Sequence, residues 1–284
     1  MRPAPVAPVT WRDGVHLTGT PIWCDARRRR DVCFVSSADR VGPGHGQLIA
    51  TPLTLALIGA KDQLGAPVRR PFTLGTLRLE LIPSGRGLGA AALHVDAGDH
   101  TVLYAGPIRT TAQPALEGAD VRAADAVVVA SPLADDVALP ALPQAAERLA
   151  AWVREHEAPV IVVESAVDGL EIATWLASVG IAVAGTRVMR EASLRAGMTE
   201  LAPKAEVLIK LEADRVKLPA GHAIARVNAT TWPFLATDRE LLAWLDQTRA
   251  KQVFVTGAGA ERIVAAIGSR ARLLGPPRQM SLFR

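Results

Sequence analysis

Cysteine is almost absent from this chain of 284 residues, where Cys24 and Cys33 are the only two. Two thiols can build neither a disulfide scaffold nor a four-cysteine zinc site. Histidine is nearly as scarce. Six stand at 16, 45, 94, 100, 156 and 222, none at HxH or HxxxH spacing, which counts against a metal site made from a local histidine motif. No apolar run reaches the roughly 18 residues of a membrane helix, so no membrane partner is expected. The opening MRPAPVAPVTWRDG lacks the charged-then-apolar order of a signal peptide. A strong charge bias is missing too: Lys+Arg 32 against Asp+Glu 28 leaves a formal +4. That excess does not announce nucleic acid, although it leaves room for a local basic face. Apolar residues, by contrast, are plentiful at 49% against 21% charged. The expectation is a soluble cytoplasmic protein with a real core, built as one large domain or two modest ones.

Short apolar runs bounded by turn residues fill the first half. Asp31–Ser36, Phe72–Ile82, Ala91–Val95 and Thr101–Ala105 read as strands, the last two joined through a turn at Asp96-Ala-Gly-Asp99. Thr51 followed by Pro52 marks a short helix to Ile58, with the threonine as cap. The second half alternates. Strands at Asp125–Ala130, Val160–Glu164, Ile181–Ala184 and Gln252–Thr256 are interleaved with helices near Gln144–His156, Gly169–Val179, Arg239–Arg249 and Ala260–Arg270. That rhythm predicts a parallel sheet covered by helices.

Five segments then carry a family likeness: Phe34-Val-Ser-Ser-Ala-Asp-Arg-Val41, Ala50-Thr-Pro-Leu-Thr54, Pro83-Ser-Gly-Arg-Gly-Leu-Gly-Ala90, Tyr104-Ala-Gly-Pro107 and Val253-Phe-Val-Thr-Gly257. In this order the chain, from about Gly14 to Ala271, resembles the metallo-β-lactamase-fold nucleases of the β-CASP type. The likeness is to the short bacterial exonuclease-like members associated with RNA 3′-end processing or with ligases. The resemblance implies an α/β fold: an αββα sandwich from 1–135 and 236–275, a small β-CASP-like α/β insertion at 136–235, and a tail at 276–284. It also implies a two-zinc site, whose ligands are largely absent here. Where the family carries H-x-H-x-D-H, this chain has Val35, Ser37, Asp39 and Arg40, keeping only the aspartate. Arg86 replaces a histidine ligand, Pro107 the bridging aspartate, and Gly257 the histidine of a T-H-G triplet. A hydrolytic zinc site needs at least three protein ligands and an open position, so no metal, cofactor or catalytic residue is expected. Two of the losses are His→Arg. Arg86, and secondarily Arg40, is expected to supply the positive charge near Asp39 that metal supplies in the active proteins.

Other clusters read as structure. His94-x-Asp96-x-x-Asp99-His100 is a hairpin turn, Glu164–Gly169 a strand-to-helix junction, and Gly257–Glu261 a tight turn. Arg27–Arg30 and Arg69-Arg70 are the only basic clusters, and either a solvated loop or a phosphate track would use them. Beyond Gly275-Pro276-Pro277, the residues Gln279, Met280, Ser281, Leu282 and Phe283 resemble the short peptide by which bacterial repair and replication proteins bind the sliding clamp. The functional expectation is a catalytically degenerate, nuclease-derived binding or scaffolding factor. It docks on the clamp and contacts single-stranded DNA or RNA, or an active nuclease, ligase or helicase, through the old cleft. Two alternatives stand beside it: a working metal-dependent exonuclease or hydrolase rebuilt around Asp39, His45, His94 or His100, and an inert subunit paired with an active paralogue.

Overall fold

The computed structural model describes residues 7–114, 116–131, 140–218 and 221–276. The clamp-like segment at 279–283 lies outside them. Six strands form a first sheet in sequential order: β1 (Val9–Trp11), β2 (Val15–Leu17), β3 (Ile22–Cys24), β4 (Val32–Phe34), β5 (Gln47–Ala50) and β6 (Leu64–Gly65). The first two pairings are antiparallel and the other three parallel. Between β5 and β6, α1 (Pro52–Ile58) occupies the predicted span. Thr51 Oγ1 accepts from the Thr54 amide, and Gly59 ends the helix at a φ of 68°. The same hydroxyl donates to Gly89 O at 2.6 Å. Thr51→Ala is therefore expected to cost about 1–2 kcal/mol of unfolding free energy in a urea titration. A loss below about 0.5 kcal/mol, the bottom of the range for a missing cap, would show this one to be idle.

A second sheet takes β7 (Phe72–Leu74), β8 (Leu77–Pro83), β9 (Ala91–Asp96), β10 (Thr101–Gly106) and β11 (Ala126–Ala130). The segment Phe72–Ile82, expected as one strand, is a hairpin. Gly75 adopts a φ of 60°, which an L side chain resists, and Leu74 pairs back onto Leu77. The turn at 96–99 joins β9 to β10 as expected, with the Gly98 amide donating to Asp96 Oδ1 at 2.9 Å.

The chain then builds α2 (Leu142–Glu155), β12 (Val160–Val163), α3 (Ala166–Ser178), β13 (Val183–Gly185), α4 (Arg187–Arg195), β14 (Val207–Leu211) and β15 (Ile224–Val227). These four strands make an all-parallel sheet in the order β13-β14-β12-β15. Helix α3 starts earlier than the predicted Gly169, because Ser165 Oγ caps it by accepting from the Asp168 amide. Finally α5 (Asp238–Thr248), β16 (Gln252–Thr256), α6 (Ala260–Ile267) and β17 (Ala271–Leu273) return to the second sheet, whose order is β17-β16-β11-β10-β9-β8-β7. The parallel rhythm expected through the second half is thus shared between two sheets: β11 pairs with β16 and not with β12. Helix α6 stops short of the predicted Arg270, at Gly268.

Alternation sorts the side chains into separate cores. Phe34 and Ile49 of the first sheet pack with Leu79, Leu81, Leu93 and Tyr104 of the second. The opposite face of β4 and β5 packs on Leu55 of α1. The opposite face of β10, β11 and β16 packs on Leu241, Trp244 and Leu245 of α5 and Ile263 of α6. A further core joins α2, α3, α4 and the third sheet, and reaches Leu57 of α1 and Leu88. The result is a mixed α/β fold. No helix among the described residues is long and apolar enough to cross a membrane.

Candidate functional site

Strands β8, β10, β11 and β16 run in one direction, so their C-terminal ends share one edge of the second sheet. The end of β4 meets this edge, with the Ala91 amide donating to Ser36 O at 2.9 Å. All the segments singled out by the resemblance therefore gather in one region, yet they bring few groups that can bind anything. Val35 and Ser37 are buried, Val35 in the core beneath α1. Pro107 is buried, Gly257 turns against Ser131, and Arg40 is exposed. The charge of Arg40 acts instead on Asp25, whose half-buried carboxyl accepts from the Ser36 amide, the Ser36 hydroxyl and the Tyr104 hydroxyl. Burial raises the pKa of Asp25, and Arg40 and these hydrogen bonds oppose the rise.

Asp39 and Arg86 do meet, and a third residue joins them. Arg86 Nη2 donates to Asp39 Oδ2 at 3.2 Å, while Nη1 donates to Asp168 Oδ1 at 2.8 Å. Asp168 sits in the first turn of α3, and its other oxygen accepts from Ser165 Oγ at 2.8 Å. The guanidinium also lies 5.6 Å from the ring centre of Phe234, within cation–π range. Burial works against the Arg86 cation, but Asp168 and then Asp39 outweigh it and its pKa is raised.

One helical turn along α3 a second pair repeats the arrangement. Arg109, in the loop after β10, donates from Nη1 to Glu171 Oε1 at 2.7 Å, and both side chains are 2% exposed or less. Trp232 Nε1 donates to the same oxygen at 3.0 Å. Burial raises the Glu171 pKa, against the lowering pull of Arg109 and Trp232. The two loops are themselves joined, since the Arg109 amide donates to Ser84 O at 3.0 Å. Residue 87 must be small, because a Cβ there would lie 2.5 Å from Val167 Cγ1. Arg86 and Arg109 thus reach from loops of the second sheet to Asp168 and Glu171 on one face of α3, pinning the third-sheet unit to the rest.

This donor set does not fit a zinc pair. The side chains at Val35, Pro107 and Gly257 offer no ligand, and the Asp39 carboxylate is engaged by a guanidinium. Among the described residues no group of three or more His, Cys, Asp or Glu is placed to hold a metal ion. Residues of the rebuilt-site alternative are not brought together. His45 Nδ1 accepts from the Arg30 amide, His94 lies mid-strand in β9 with its pKa lowered by burial, and His100 pairs with Asp99 beyond the hairpin turn. Arg109, Asp168, Glu171 and Trp232 were not foreseen from sequence. The available signal was two acids three residues apart within a helix otherwise apolar at Val167, Leu170 and Ile172, since acids on such a face require cationic partners.

No family model matches this chain, and no curated protein matches it. It is similar in structure to a protein of unknown function from Enterococcus faecalis V583, with a TM-score of 0.61 and 11% identity. The likeness covers 87% of this chain and 79% of that one, and at such identity it speaks to the fold alone.

Proposed function

We propose that this chain is a catalytically degenerate protein of the metallo-β-lactamase nuclease type, acting as a nucleic-acid-binding or scaffolding factor in bacterial DNA repair or replication. One observation carries the reading: the Arg86 guanidinium stands between Asp39 and Asp168, at the place where the resemblance calls for metal. The packing of α1 outside the first sheet and of α5 and α6 outside the second agrees with an αββα sandwich. The third sheet lies within the span assigned to a β-CASP-like insertion. Docking on the sliding clamp through Gln279–Phe283 rests on the sequence of that tail.

Two guanidiniums are taken up by three carboxylates here, so the geometry does structural work where an active relative activates water. It also changes the part given to the cleft. With Arg86 and Arg109 engaged internally, neither is free to hold a phosphate. Metal analysis of the purified protein, run beside a nuclease assay on single-stranded DNA and RNA, tests the reading. The expected result is no stoichiometric transition metal and no cleavage. Zinc or manganese near one equivalent, together with turnover, would overturn it.

A further inference from the structure

We propose that the outer face of β2 and β3, with the arginine run that follows β3, is a docking surface for single-stranded nucleic acid. The inference rests on the reading of the chain as a nucleic-acid-binding factor and assigns that contact to a place away from the cleft.

Val15, Leu17, Ile22 and Cys24 point into one core, so their neighbours His16 and Trp23 lie on the opposite face, directly across from each other in register. Both are half-buried, and Trp23 packs at the edge of the cluster around Cys33 and Val35. Their rings stack at 4.5 Å between centroids and 26° between planes. The Arg30 guanidinium lies 3.8 Å from the centre of the Trp23 ring. His16 is held in place by its Nε2, 2.9 Å from Thr20 O, and Arg30 by a bond from Nη2 to Arg12 O. Three planar groups, two of them aromatic and one cationic, are thus fixed on a partly exposed sheet face. An imidazole or guanidinium plane of this kind is a platform on which an unpaired base can stack.

Beside the stack runs the charge. Across residues 7–31 five arginines face three aspartates, and one of those aspartates, Asp25, is half-buried and engaged by Ser36 and Tyr104. Arg27, Arg28 and Arg29 are exposed; Arg28 pairs with the half-exposed Asp13, and among the described residues Arg27 and Arg29 make no ion pair. The other arginine cluster differs, because Arg69 is bound by both Glu117 and Asp120. The loop is also anchored. A Cβ at residue 42 would lie 2.0 Å from Ala26 O, and one at residue 46 would lie 2.7 Å from Asp31 O, so Gly42 and Gly46 seat it at both ends. A fixed loop presents its guanidiniums with less ordering cost than a mobile tail. None of the large exposed apolar side chains falls within residues 7–31, which favours a polyanion in water over a lipid surface.

The test is fluorescence anisotropy with the full chain and a labelled 20-nucleotide single strand, as DNA and as RNA, across a salt series. Arg27→Ser/Arg28→Ser/Arg29→Ser is expected to weaken binding at least about tenfold near 0.1 M salt. It should also flatten the logarithmic salt slope by about 2, since each lost phosphate contact on a single strand is worth about 0.7. His16→Ala should weaken binding by roughly fivefold or more with the slope unchanged, as loss of a stacked base predicts. Arg70→Ser, from the other cluster, should bind as the parent does. The proposal is overturned if the parent binds neither strand, if the triple variant keeps its affinity and slope, if His16→Ala changes nothing, or if the parent binds phosphatidylserine vesicles but no oligonucleotide. Metal with turnover would sink the non-catalytic reading while leaving this surface standing, so the two failures are distinguishable.

Discussion

Arg109→Met is expected to lower the unfolding free energy by about 3–5 kcal/mol at neutral pH, because it strands the buried Glu171 carboxylate without its cation. The pair is almost wholly out of water, with side chains 2% and 1% exposed, so solvent does little to soften the loss. Arg109→Met/Glu171→Leu should recover part of it, short of the whole because Trp232 Nε1 loses its acceptor. Arg109 Nε and Nη2 and Glu171 Oε2 have no hydrogen-bond partner among the described residues, and the double variant removes these buried polar atoms along with the charges. The pH dependence has a definite sign. Burial already raises the Glu171 pKa and Arg109 restrains the rise. In the single variant the native carboxyl therefore holds its proton to still higher pH. A native pKa above the unfolded one means that stability is greatest when the group is protonated and falls as pH rises through the interval. The deficit of Arg109→Met against the parent should accordingly be full at neutral pH and shrink as pH falls toward the ordinary glutamate range. Urea titrations at several pH values check this. A deficit independent of pH, or a double variant as unstable as the single, would show that packing and not charge is responsible.

Arg86→Met should cost somewhat less, about 3 kcal/mol, at the low end of the range for a broken buried pair. Asp39 is reachable by water, its side chain 19% exposed, whereas Asp168 is 7% exposed. The more telling readout is local. Amide hydrogen exchange should accelerate in the first turns of α3, where Asp168 loses its partner, while β11 and β16 in the middle of the second sheet keep their protection. Uniform acceleration through both would mean that Arg86 supports the whole molecule and not the junction. Arg86→Lys is a useful companion. A single ammonium cannot fork between two carboxylates as the planar guanidinium does, so most of the loss should persist.

The local parts of this structure are legible in the sequence where a few residues decide them. Thr51-Pro52 sets the start of α1, the 96–99 turn closes its hairpin, and β16 spans its predicted residues. Strands β1 to β3 are three residues each, too short for alternation to show. The hairpin at Gly75 hides because Phe72 to Leu74 continue the apolar run of β8 across the turn. At the site, the Asp39–Arg86 contact could be anticipated because both residues stand at family positions. Asp168 could not, lying 82 residues beyond Arg86 in a helix cap with no family position to mark it. The Arg109–Glu171–Trp232 group has the same character, three segments that only the folded chain brings together.

The placement of β16 also matters while the chain is being made. β11 is an all-apolar strand, Ala126-Val-Val-Val-Ala130, and its neighbour on one side is complete only when residue 256 has been synthesised. Between those points the ribosome adds the whole third-sheet unit, whose strands β12 to β15 pair only among themselves and can form early. For that interval β11 is an open sheet edge with its ladder unpaired, the kind of edge that sticks to other chains. The nascent protein should therefore need holdase protection, or slow aggregation, in the window between residues 130 and 256. Chains truncated in that window should be found with chaperones or in the pellet, and those extended past β16 in solution.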